Sequence, residues 1–262
     1  MLAEERRTRV FAEVQRHRAV RVADLAALLE VSEMTIRRDL DALAAEGALE
    51  KVHGGATVAR SRSADEPGFV TKSMQSHREK LAIAHAATAL VGPGAAIGLG
   101  AGTTTWELAH ALHDIGGLTV VTNSMRIAHV LNAAGRPDRT VVLTGGVRTP
   151  SDALVGPIAV SALAQLHLDV VFLGVHGMHP DTGFTTPNLL EAETNRAMIA
   201  SAHRLVVLAD HTKWATVGLS TFAQVDQADV LISDDGLPEP ARIELAEQVG
   251  ELVLVETPAE AR

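Results

Sequence analysis

The amino-acid sequence predicts two domains of different fold class, a small α+β domain followed by a larger α/β domain. Short helical patterns and a glycine-rich hairpin pattern occupy the first 58 residues, whereas apolar strand patterns alternate with helical patterns from about residue 74 onwards. The length of 262 residues also suits two cores better than one. We predict domains at 1–58 and 74–256, with a linker at 59–73, because ARSRSADEPG at 59–68 lacks an apolar period.

The first domain begins with three helical patterns. They span Ala3 to His17, about eight residues around Leu25 to Leu29, and Glu33 to Glu46. Their apolar residues recur at spacings of three and four, so each helix has one buried face. Ser32 precedes the third helix, where its hydroxyl would accept from free backbone N–H groups as an N-cap. Helices this short are stable only when they pack together, which predicts a small bundle.

A hairpin pattern follows the third helix. Gly47 would end that helix in a left-handed conformation, and Ala48 to Lys51 then read as the first strand of a hairpin that runs to Ala56. Two helices joined by a turn, with a hairpin behind them, predict a winged helix-turn-helix.

The outward face of the third helix carries groups that suit the major groove of DNA. Its N-terminal residues would touch base edges, whereas Arg37 and Lys51 would reach phosphates. The predicted DNA-contacting residues are Ser32, Met34, Thr35, Arg37, Arg38, Lys51 and His53. An ordinary helical pair with solvated arginines is the alternative, but the complete ordered set of elements favours DNA binding.

Charge is distributed unevenly between the two domains. Residues 1–60 hold ten Lys and Arg against ten Asp and Glu, so the whole net charge of −9 falls on the rest of the chain. The larger domain is therefore not the DNA-binding surface. Because the first domain is neutral, its phosphate affinity would depend on where a few cations lie, Arg6 and Arg7 among them, and on dimerisation. Binding would be strongly salt-dependent.

Cysteine content and the N-terminal segment bear on the compartment. The absence of cysteine excludes disulfides and thiolate chemistry and suits a reducing environment. The opening MLAEERRTRV has charges where a signal peptide needs an apolar segment, and no apolar run approaches membrane-spanning length. We expect a cytoplasmic protein that contacts no membrane.

The second domain is predicted to alternate strands and helices. The strands are predicted at Ala95 to Leu99, Leu118 to Thr122, Thr140 to Leu143, Asp169 to Leu173, Leu205 to Ala209, Val230 to Ser233 and Leu252 to Val255. The helices are predicted at Met74 to Val91, Thr104 to Leu112, Met125 to Ala134, Ala159 to Leu166, Leu189 to Ser201 and Ala241 to Val249. This order implies a largely parallel sheet with helices on both faces and ligand sites at the carboxyl ends of its strands.

Glycine-rich and polar segments follow the first three of these strands. Gly100 to Thr105 reads GAGTTT and enters a helix, so backbone N–H groups, hydroxyls and the positive helix terminus converge where an anion would bind. The segment lacks the lysine of a P-loop and the third glycine of a dinucleotide fingerprint, and a simple tight turn is the alternative. The next two strands end in similar segments, at Thr122 to Ser124 and at Thr144 to Val147. Three successive strands that end in polar or glycine-rich segments favour one shared ligand pocket.

Titratable residues near the later strand ends complete the candidate pocket. Lys213 would offer positive charge to a phosphate. Of Glu191 and Glu193 only one can face the pocket squarely, and we favour Glu193. His176 and His179 lack the further ligands that a metal site requires, so we predict no metal, no cofactor and no catalytic residues.

Several motifs carry a family resemblance. TIRRDL at 35–40 and HGGA at 53–56 occur at the expected separation, and the segment from Arg6 to Val58 closely resembles the DNA-binding domain of DeoR-type bacterial transcription regulators. The region from Arg78 to Glu256, with GAGTTT, TNS, TGG, GFTTPN, EAE and LADHTK, resembles the sensor domain of the same family. That domain is similar in fold to ribose-5-phosphate isomerase and binds phosphorylated sugars or related metabolites.

The resemblance implies roles for residues at the matching positions. The first strand end would hold a phosphate, the next two would line the pocket, and a carboxylate and a lysine would flank the sugar. These effector-binding residues are Gly102, Thr103, Thr104, Thr105, Asn123, Ser124, Gly146, Glu193 and Lys213. One position departs from the family, because GVHG at 174–177 places His176 where members usually have the acidic residue of GVDG. An imidazole there would suit an acidic ligand or a second phosphate.

These observations favour a ligand-controlled transcription factor, a repressor of a sugar or polyol operon whose effector shifts the population of DNA-binding arrangements. Its partners would be operator DNA and a phosphorylated sugar or related metabolite, and a helix-turn-helix protein normally binds as a homodimer or homotetramer. The alternative is a sugar-phosphate isomerase with a DNA-binding appendage and Glu193 as its base. The related isomerases have additional acidic and lysine side chains where this chain has His176, His179 and uncharged residues, so we expect no catalysis.

Overall fold

The computed structural model describes residues 3–17, 19–45, 48–52, 54–58 and 68–257. The chain forms two compact units, Met1–Gln75 and Ser76–Arg262. Three features predicted from the sequence lie outside the described residues, namely His53, the helix stop at Gly47 and the part of the linker at 59–67.

The first unit is a small helical bundle packed on a three-stranded antiparallel sheet. Its elements are α1 (Ala3–His17), β1 (Ala19–Arg21), α2 (Val22–Leu28), α3 (Glu33–Ala45), β2 (Leu49–Val52), β3 (Gly55–Val58) and α4 (Phe69–Met74). The strand order is β1-β3-β2, and the predicted apolar faces of the helices form one buried core. The predicted α+β winged helix-turn-helix is confirmed. β1 was not predicted, because three residues are too few to show a period.

The two glycines of the hairpin have different reasons to be glycine. Gly54 has a φ of +80° and open space around it, whereas a Cβ on Gly55 would lie 2.1 Å from the carbonyl oxygen of Val20. Gly55 is therefore required because β1 and β3 approach closely at that point.

Replacing these glycines by alanine tests that difference. We expect Gly54→Ala to cost about 1 kcal/mol of local stability through its left-handed backbone. Gly55→Ala is expected to cost about 2 kcal/mol, because the strands must separate to admit the methyl group. Amide hydrogen exchange of the sheet in the full chain measures both. Equal effects of the two changes would contradict the close-approach explanation.

The predicted linker contains a helix. α4 covers residues 69–74, with Phe69 and Thr71 buried, and Met74 packs against the core of the first unit. The sequence suggested a single helix from Met74 to Val91 instead. The chain breaks it, since Gln75 is extended and Ser76 has a left-handed φ of +47° before the next helix begins. The domain limits at 1–58 and 74–256 stay a prediction.

The second unit is an α/β domain around a parallel sheet. Its strands are β4 (Ala96–Leu99), β5 (Thr119–Thr122), β6 (Thr140–Leu143), β7 (Val147–Arg148), β8 (Leu154–Val155), β9 (Val170–Gly174), β10 (Gly177–His179), β11 (Gly183–Thr186), β12 (Leu205–Leu208), β13 (Ser220–Ala223), β14 (Val230–Asp234) and β15 (Leu252–Val255). Seven of them form one sheet in the order β15-β14-β12-β9-β4-β5-β6, and all their pairings are parallel. These are the seven strands that the sequence predicted, so the predicted α/β fold class is confirmed.

Helices cover both faces of this sheet. They are α5 (His77–Ala87), α6 (Thr103–Ala111), α7 (Met125–Ala133), α8 (Pro157–Leu163), α9 (Leu189–Ala200) and α10 (Glu239–Ala246). Two separate apolar cores result, one containing Phe172 and Leu108, the other Phe184 and Leu163. Within the described residues, no helix combines the length and the apolar character needed to cross a membrane.

The remaining strands of the second unit were not predicted. β7 and β8 form a hairpin after β6, and β10, β11 and β13 form a second, antiparallel sheet. These strands are short and rich in glycine, threonine and polar residues, so they lack the apolar runs that mark the central strands. Both additions follow the carboxyl ends of central strands, on the edge where the candidate pocket was predicted.

Candidate functional site

The outward face of α3 presents most of the predicted DNA-contacting residues. Ser32 accepts from the backbone N–H of Thr35 at 3.2 Å, which confirms it as the N-cap of α3. Met34, Arg37 and Arg38 are exposed, and Thr35 is half-buried beside the cap. These residues form one surface on the first turns of α3, which is the geometry that base-edge contacts require.

The cations of this surface differ in their partners. Arg37 donates to Glu33 at 2.7 Å, and Lys51 forms an ion pair with Asp41. The side chain of Arg38 makes no hydrogen bond or ion pair with any other residue in the described part of the chain. Because exposed ion pairs are weak, phosphates of DNA can replace both carboxylates at little cost. Arg38 needs no such exchange.

Arg6, one of the cations on whose placement phosphate affinity was expected to depend, is bound within the first unit. Its guanidinium donates to both carboxylate oxygens of Asp39, at 2.6 and 3.2 Å, and Asp39 is buried on the inner side of α3. The pair connects α1 to α3. Asp39, the fifth residue of TIRRDL, therefore has a structural role. Its helical spacing places it on the same face of α3 as Ile36 and Leu43, and this position was the sequence signal for a buried partner.

The strand end after β4 forms a cradle of backbone N–H groups. Thr105 donates its hydroxyl to the carbonyl of Gly100 at 2.6 Å, which closes the loop at the start of α6. The first N–H groups of α6 have no partner within the helix. The hydroxyls of Thr103 and Thr104 make no hydrogen bond to another described residue, although both residues are buried. Donors and a positive helix end thus converge here on a place for an anion.

The next two strand ends support this loop. Asn123 is fully buried, accepts from the N–H of Ala101 at 2.7 Å and donates to the carbonyl of Leu154 at 3.2 Å. Ser124 caps α7, and a Cβ on Gly146 would lie 2.6 Å from the carbonyl oxygen of Val155. These three residues were predicted to line the pocket, and that stays a prediction. The contacts show that they also hold the cradle and the β7–β8 hairpin together.

Three buried charged residues and one partly buried lysine lie beside the cradle. Lys80 of α5 is 2% exposed, Glu107 of α6 is 8% exposed, and Asp210 follows β12 at 1% exposed. Lys213, in the turn after Asp210, places its Nζ 3.8 Å from Asp210 Oδ2. The sequence motifs did not reveal Lys80 or Glu107. Lys80 shares the buried face of α5 with Ile83, Ala84 and Ala87, and this helical spacing was the available signal.

Lys80 favours the ionised form of both carboxylates. Burial raises the pKa of Glu107 above its usual value, and the positive charge of Lys80 only partly opposes this. Burial also acts to raise the pKa of Asp210, but Lys213, Lys80 and hydrogen bonds from Thr212 outweigh it and the pKa is lowered. Asp210 is thus held ionised, with its Oδ2 buried and lacking a hydrogen-bond partner among the described residues.

The predicted inward orientation of Glu193 is wrong. Glu193 is exposed on α9, whereas Glu191 accepts from the hydroxyl of Thr186 at 2.8 Å. Asn188 caps α9 and sets its rotation, so the first glutamate of EAE faces β11. Sequence spacing alone left this rotation undetermined.

The two histidines of the predicted pocket are partly buried. The backbone N–H of His176 donates to Thr185 across the end of the small sheet, and His179 lies at the end of β10. Among the described residues no group of three or more histidine, aspartate, glutamate or cysteine side chains is arranged to hold a metal ion.

Comparisons with known families agree with this geometry. Residues 6–62 match the family described as DeoR-like helix-turn-helix domain, and residues 75–235 match the family described as DeoR C terminal sensor domain. The cradle and the four charged residues beside it all lie within the second match.

Similar proteins cover almost the whole chain. The putative aga operon transcriptional repressor of Escherichia coli O157:H7 is 33% identical over 253 residues, which are 96% of this chain and 93% of that protein. The HTH-type transcriptional regulator GlpR of Haloferax volcanii is 35% identical over 246 residues, 94% of this chain and 95% of that protein. Ribose 5 phosphate isomerase A from Neisseria gonorrhoeae is only 18% identical, with a TM-score of 0.39 over 54% of this chain and 55% of that structure.

The HTH match, the sensor-domain match and the full-length relatives assign the whole architecture to one family. The chain belongs to the DeoR family of DNA-binding transcriptional regulators.

Proposed function

We propose that this regulator is a repressor of a sugar or polyol operon and that a phosphorylated sugar or related metabolite controls it. The observation that carries the proposal is the cradle at the start of α6, with its unused hydroxyls and N–H groups beside the buried Lys80 and the partly buried Lys213. The similarity to a protein named as an aga operon repressor supports the same interpretation.

The site would bind the two ends of the effector differently. N–H groups at the start of α6, together with Thr103 and Thr104, would hold the phosphate, with Lys80 and Lys213 supplying positive charge. Asp210 Oδ2 would accept from a sugar hydroxyl, which satisfies a buried acceptor that lacks a partner among the described residues. His176 stays a proposed effector contact, whereas Glu193 is too exposed for one.

Effector binding would change the population of DNA-binding arrangements. A ligand shifts such an equilibrium only by its difference in affinity for the two states. We propose that the DNA-binding form is a homodimer or homotetramer in the cytoplasm, because a single short recognition helix rarely supplies enough affinity for an operator. Ser32, Met34, Thr35, Arg37, Arg38, Lys51 and His53 stay the proposed DNA contacts.

We propose that the domain senses its ligand without converting it. Aldose–ketose isomerisation needs a base beside the substrate carbons and stabilisation of an enediolate. Glu193, the candidate base, is exposed, and Glu191 is engaged by Thr186.

Thr104→Val tests the cradle. The change removes one hydroxyl and keeps the side-chain shape, so we expect about tenfold weaker effector binding with unchanged operator affinity in the absence of effector. A thermal-shift screen of phosphorylated sugars first identifies the effector, and titration of the purified full chain then measures its affinity.

The matched control is Thr140→Val, an exposed threonine at the start of β6. An unaltered effector affinity in Thr104→Val would show that the phosphate lies elsewhere. The same incubations are analysed for product, and conversion of the sugar phosphate would contradict the proposal of a pure sensor.

A further inference from the structure

His211 is held in one orientation at the carboxyl edge of the parallel sheet. It follows Asp210 directly, in the turn after β12 that also contains Lys213, and its Nδ1 lies 2.6 Å from Oδ2 of Asp234. Asp234 ends β14, the neighbour of β12, and is 1% exposed. Its Oδ1 accepts from the backbone N–H of His211 at 2.7 Å, so one buried carboxylate binds both the ring and the backbone of this histidine.

The loop after β14 packs closely against the ring. The backbone N–H of Gly236 donates to Asp234 Oδ2 at 3.0 Å. A Cβ on Gly236 would lie 2.5 Å from Nδ1 of His211 and 2.6 Å from Asp234 Oδ2, so a larger residue would displace the imidazole. The ring is thus fixed on its Nδ1 side before a ligand binds, which lowers the entropy cost of a contact on its other side.

The other nitrogen of the ring is open. The His211 side chain is 35% exposed, and its Nε2 makes no hydrogen bond to another residue that the structure describes. Because the bond to Asp234 uses Nδ1, Nε2 is the nitrogen that a ligand can reach. In either charge state of the ring Nε2 can bind a hydroxyl group, since a hydroxyl both donates and accepts.

This open nitrogen lies on the same edge of the sheet as the cradle. Asp210, the preceding residue, carries the buried Oδ2 that we assign to a sugar hydroxyl. Only β9 separates β12 from β4, so the ends of these two strands lie about 10 Å apart. A sugar whose phosphate is held at the cradle can therefore reach the turn of Asp210 and His211 with its other end.

The charges around His211 favour a neutral group. Even when the ring is protonated, the carboxylate of Asp234 matches its charge, and Lys213 is paired with Asp210 at 3.8 Å. A second acidic group at this place would meet the carboxylates of Asp210 and Asp234, which already match these two cations. A hydroxyl would meet no such repulsion and would still find a hydrogen-bond partner in Nε2.

We infer that His211 is a specificity-determining contact, which binds a hydroxyl at the end of the effector remote from the phosphate. The effector class is then a phosphorylated sugar or polyol whose other end is neutral and hydroxylated, rather than a bisphosphate or the phosphate of a sugar acid. Asp234 and Gly236 are positioning residues, because they act only through the ring. This inference rests on the proposed phosphate cradle.

Ligands that differ by one hydroxyl test this contact in the full chain. Isothermal titration compares glucose 6-phosphate with its 1-deoxy and 2-deoxy analogues, ribose 5-phosphate with 2-deoxyribose 5-phosphate, and glycerol 3-phosphate with 1,2-propanediol 1-phosphate. In at least one pair we expect the deoxy compound to bind about tenfold more weakly, because it leaves Nε2 without its hydrogen-bond partner.

Two substitutions assign this preference to the histidine. His211→Asn keeps an N–H donor beside Asp234 but has no counterpart of Nε2. It is expected to remove the tenfold preference and to leave the affinity for the deoxy compound within about twofold. Gly236→Ala keeps the histidine but displaces its ring, so it should reduce the preference as well.

His113→Asn is the matched control. Nε2 of His113 also pairs with an aspartate, Asp114, but this pair follows α6 at the end opposite to the cradle. The control should keep the wild-type preference, and circular dichroism verifies that all three variants keep their secondary structure.

Each outcome supports or contradicts the inference. Equal binding in every pair, or a preference that survives unchanged in His211→Asn, overturns the contact and leaves the cradle intact, since a surviving preference would belong to Asp210. Tighter binding of 6-phosphogluconate than of glucose 6-phosphate, or of fructose 1,6-bisphosphate than of fructose 6-phosphate, overturns the neutral end. Failure of every phosphorylated compound to bind overturns the cradle and the contact together.

Discussion

Replacing Lys80 by methionine is expected to lower the free energy of unfolding of the C-terminal unit by about 3 kcal/mol at neutral pH. Lys80 is 2% exposed and lies between two buried carboxylates, those of Glu107 and Asp210. Methionine fills nearly the same space but leaves both negative charges without this partner. Removing one member of a buried charge cluster costs more than the pair contributes, because the remaining ions cannot regain their hydration.

Tryptophan fluorescence in urea measures this effect selectively. The chain has two tryptophans, Trp106 and Trp214, and both lie in the C-terminal unit. The fluorescence transition of the full chain therefore reports this unit alone, and a shift of the midpoint at constant slope gives the loss of stability.

The stability lost in Lys80→Met should depend on pH, and the pKa shifts of the two carboxyl groups give the direction of that dependence. The pKa of Asp210 is lowered in the folded protein, so its contribution to stability is present at neutral pH and is lost as the pH falls. The pKa of Glu107 is raised, so its ionisation is a penalty at neutral pH that acid relieves. Without Lys80 both carboxyl groups protonate more readily, and the difference between variant and wild type should shrink below about pH 4.

A second change in the same cluster provides the control. Asp210→Asn in the Lys80→Met background removes one of the two negative charges and should recover about half of the lost stability. If Lys80→Met unfolds at the wild-type urea concentration, the charge of Lys80 does not stabilise the fold.

Most of the fold was predictable because each central strand and helix is marked by the pattern of apolar residues within its own segment. The seven strands of the parallel sheet are buried on both faces, so their apolar runs mark them in the sequence. The short strands at the carboxyl edge gave no such signal, because β7, β8 and β10 form only through pairing with partners on the far side of a turn or loop.

Only the part of the candidate site that is formed by one continuous segment of the chain was predictable from the sequence. GAGTTT contains the whole backbone of the cradle, and its position between a strand and a helix was enough to suggest an anion site. The functions of Asn123 and Gly146 depend on the β7–β8 hairpin, which was not predicted. The orientation of Glu193 depends on the rotation of α9, and the burial of Lys80 depends on which face of α5 packs against α6. These features are set by tertiary packing.

Among the cations of the α3 surface, we expect Arg38 to contribute most to sequence-specific DNA binding. Arg37 and Lys51 must first leave Glu33 and Asp41, whereas Arg38 is exposed and makes no ion pair with another described residue. An arginine on the first turns of a recognition helix suits a bidentate contact with guanine. The other two cations then contribute mainly attraction to phosphates.

We expect Arg38→Ala to weaken operator binding by about 1 to 3 kcal/mol, roughly 5- to 150-fold, and to weaken nonspecific DNA binding much less. Arg37→Ala is the matched variant, since it removes a neighbouring exposed arginine of the same helix. It should weaken both kinds of binding nearly equally and lower the slope of log affinity against log salt by about one phosphate contact.

Fluorescence anisotropy at several salt concentrations makes this comparison, with an operator that the protein itself has selected from random-sequence DNA. Circular dichroism verifies that both variants keep their helices. Equal losses on operator and nonspecific DNA in Arg38→Ala would make Arg38 a phosphate contact. The ion pairs of Arg37 and Lys51 would then not distinguish cations that contact phosphates from cations that contact bases. The sequence specificity of this surface would have to come from Ser32, Met34 and Thr35.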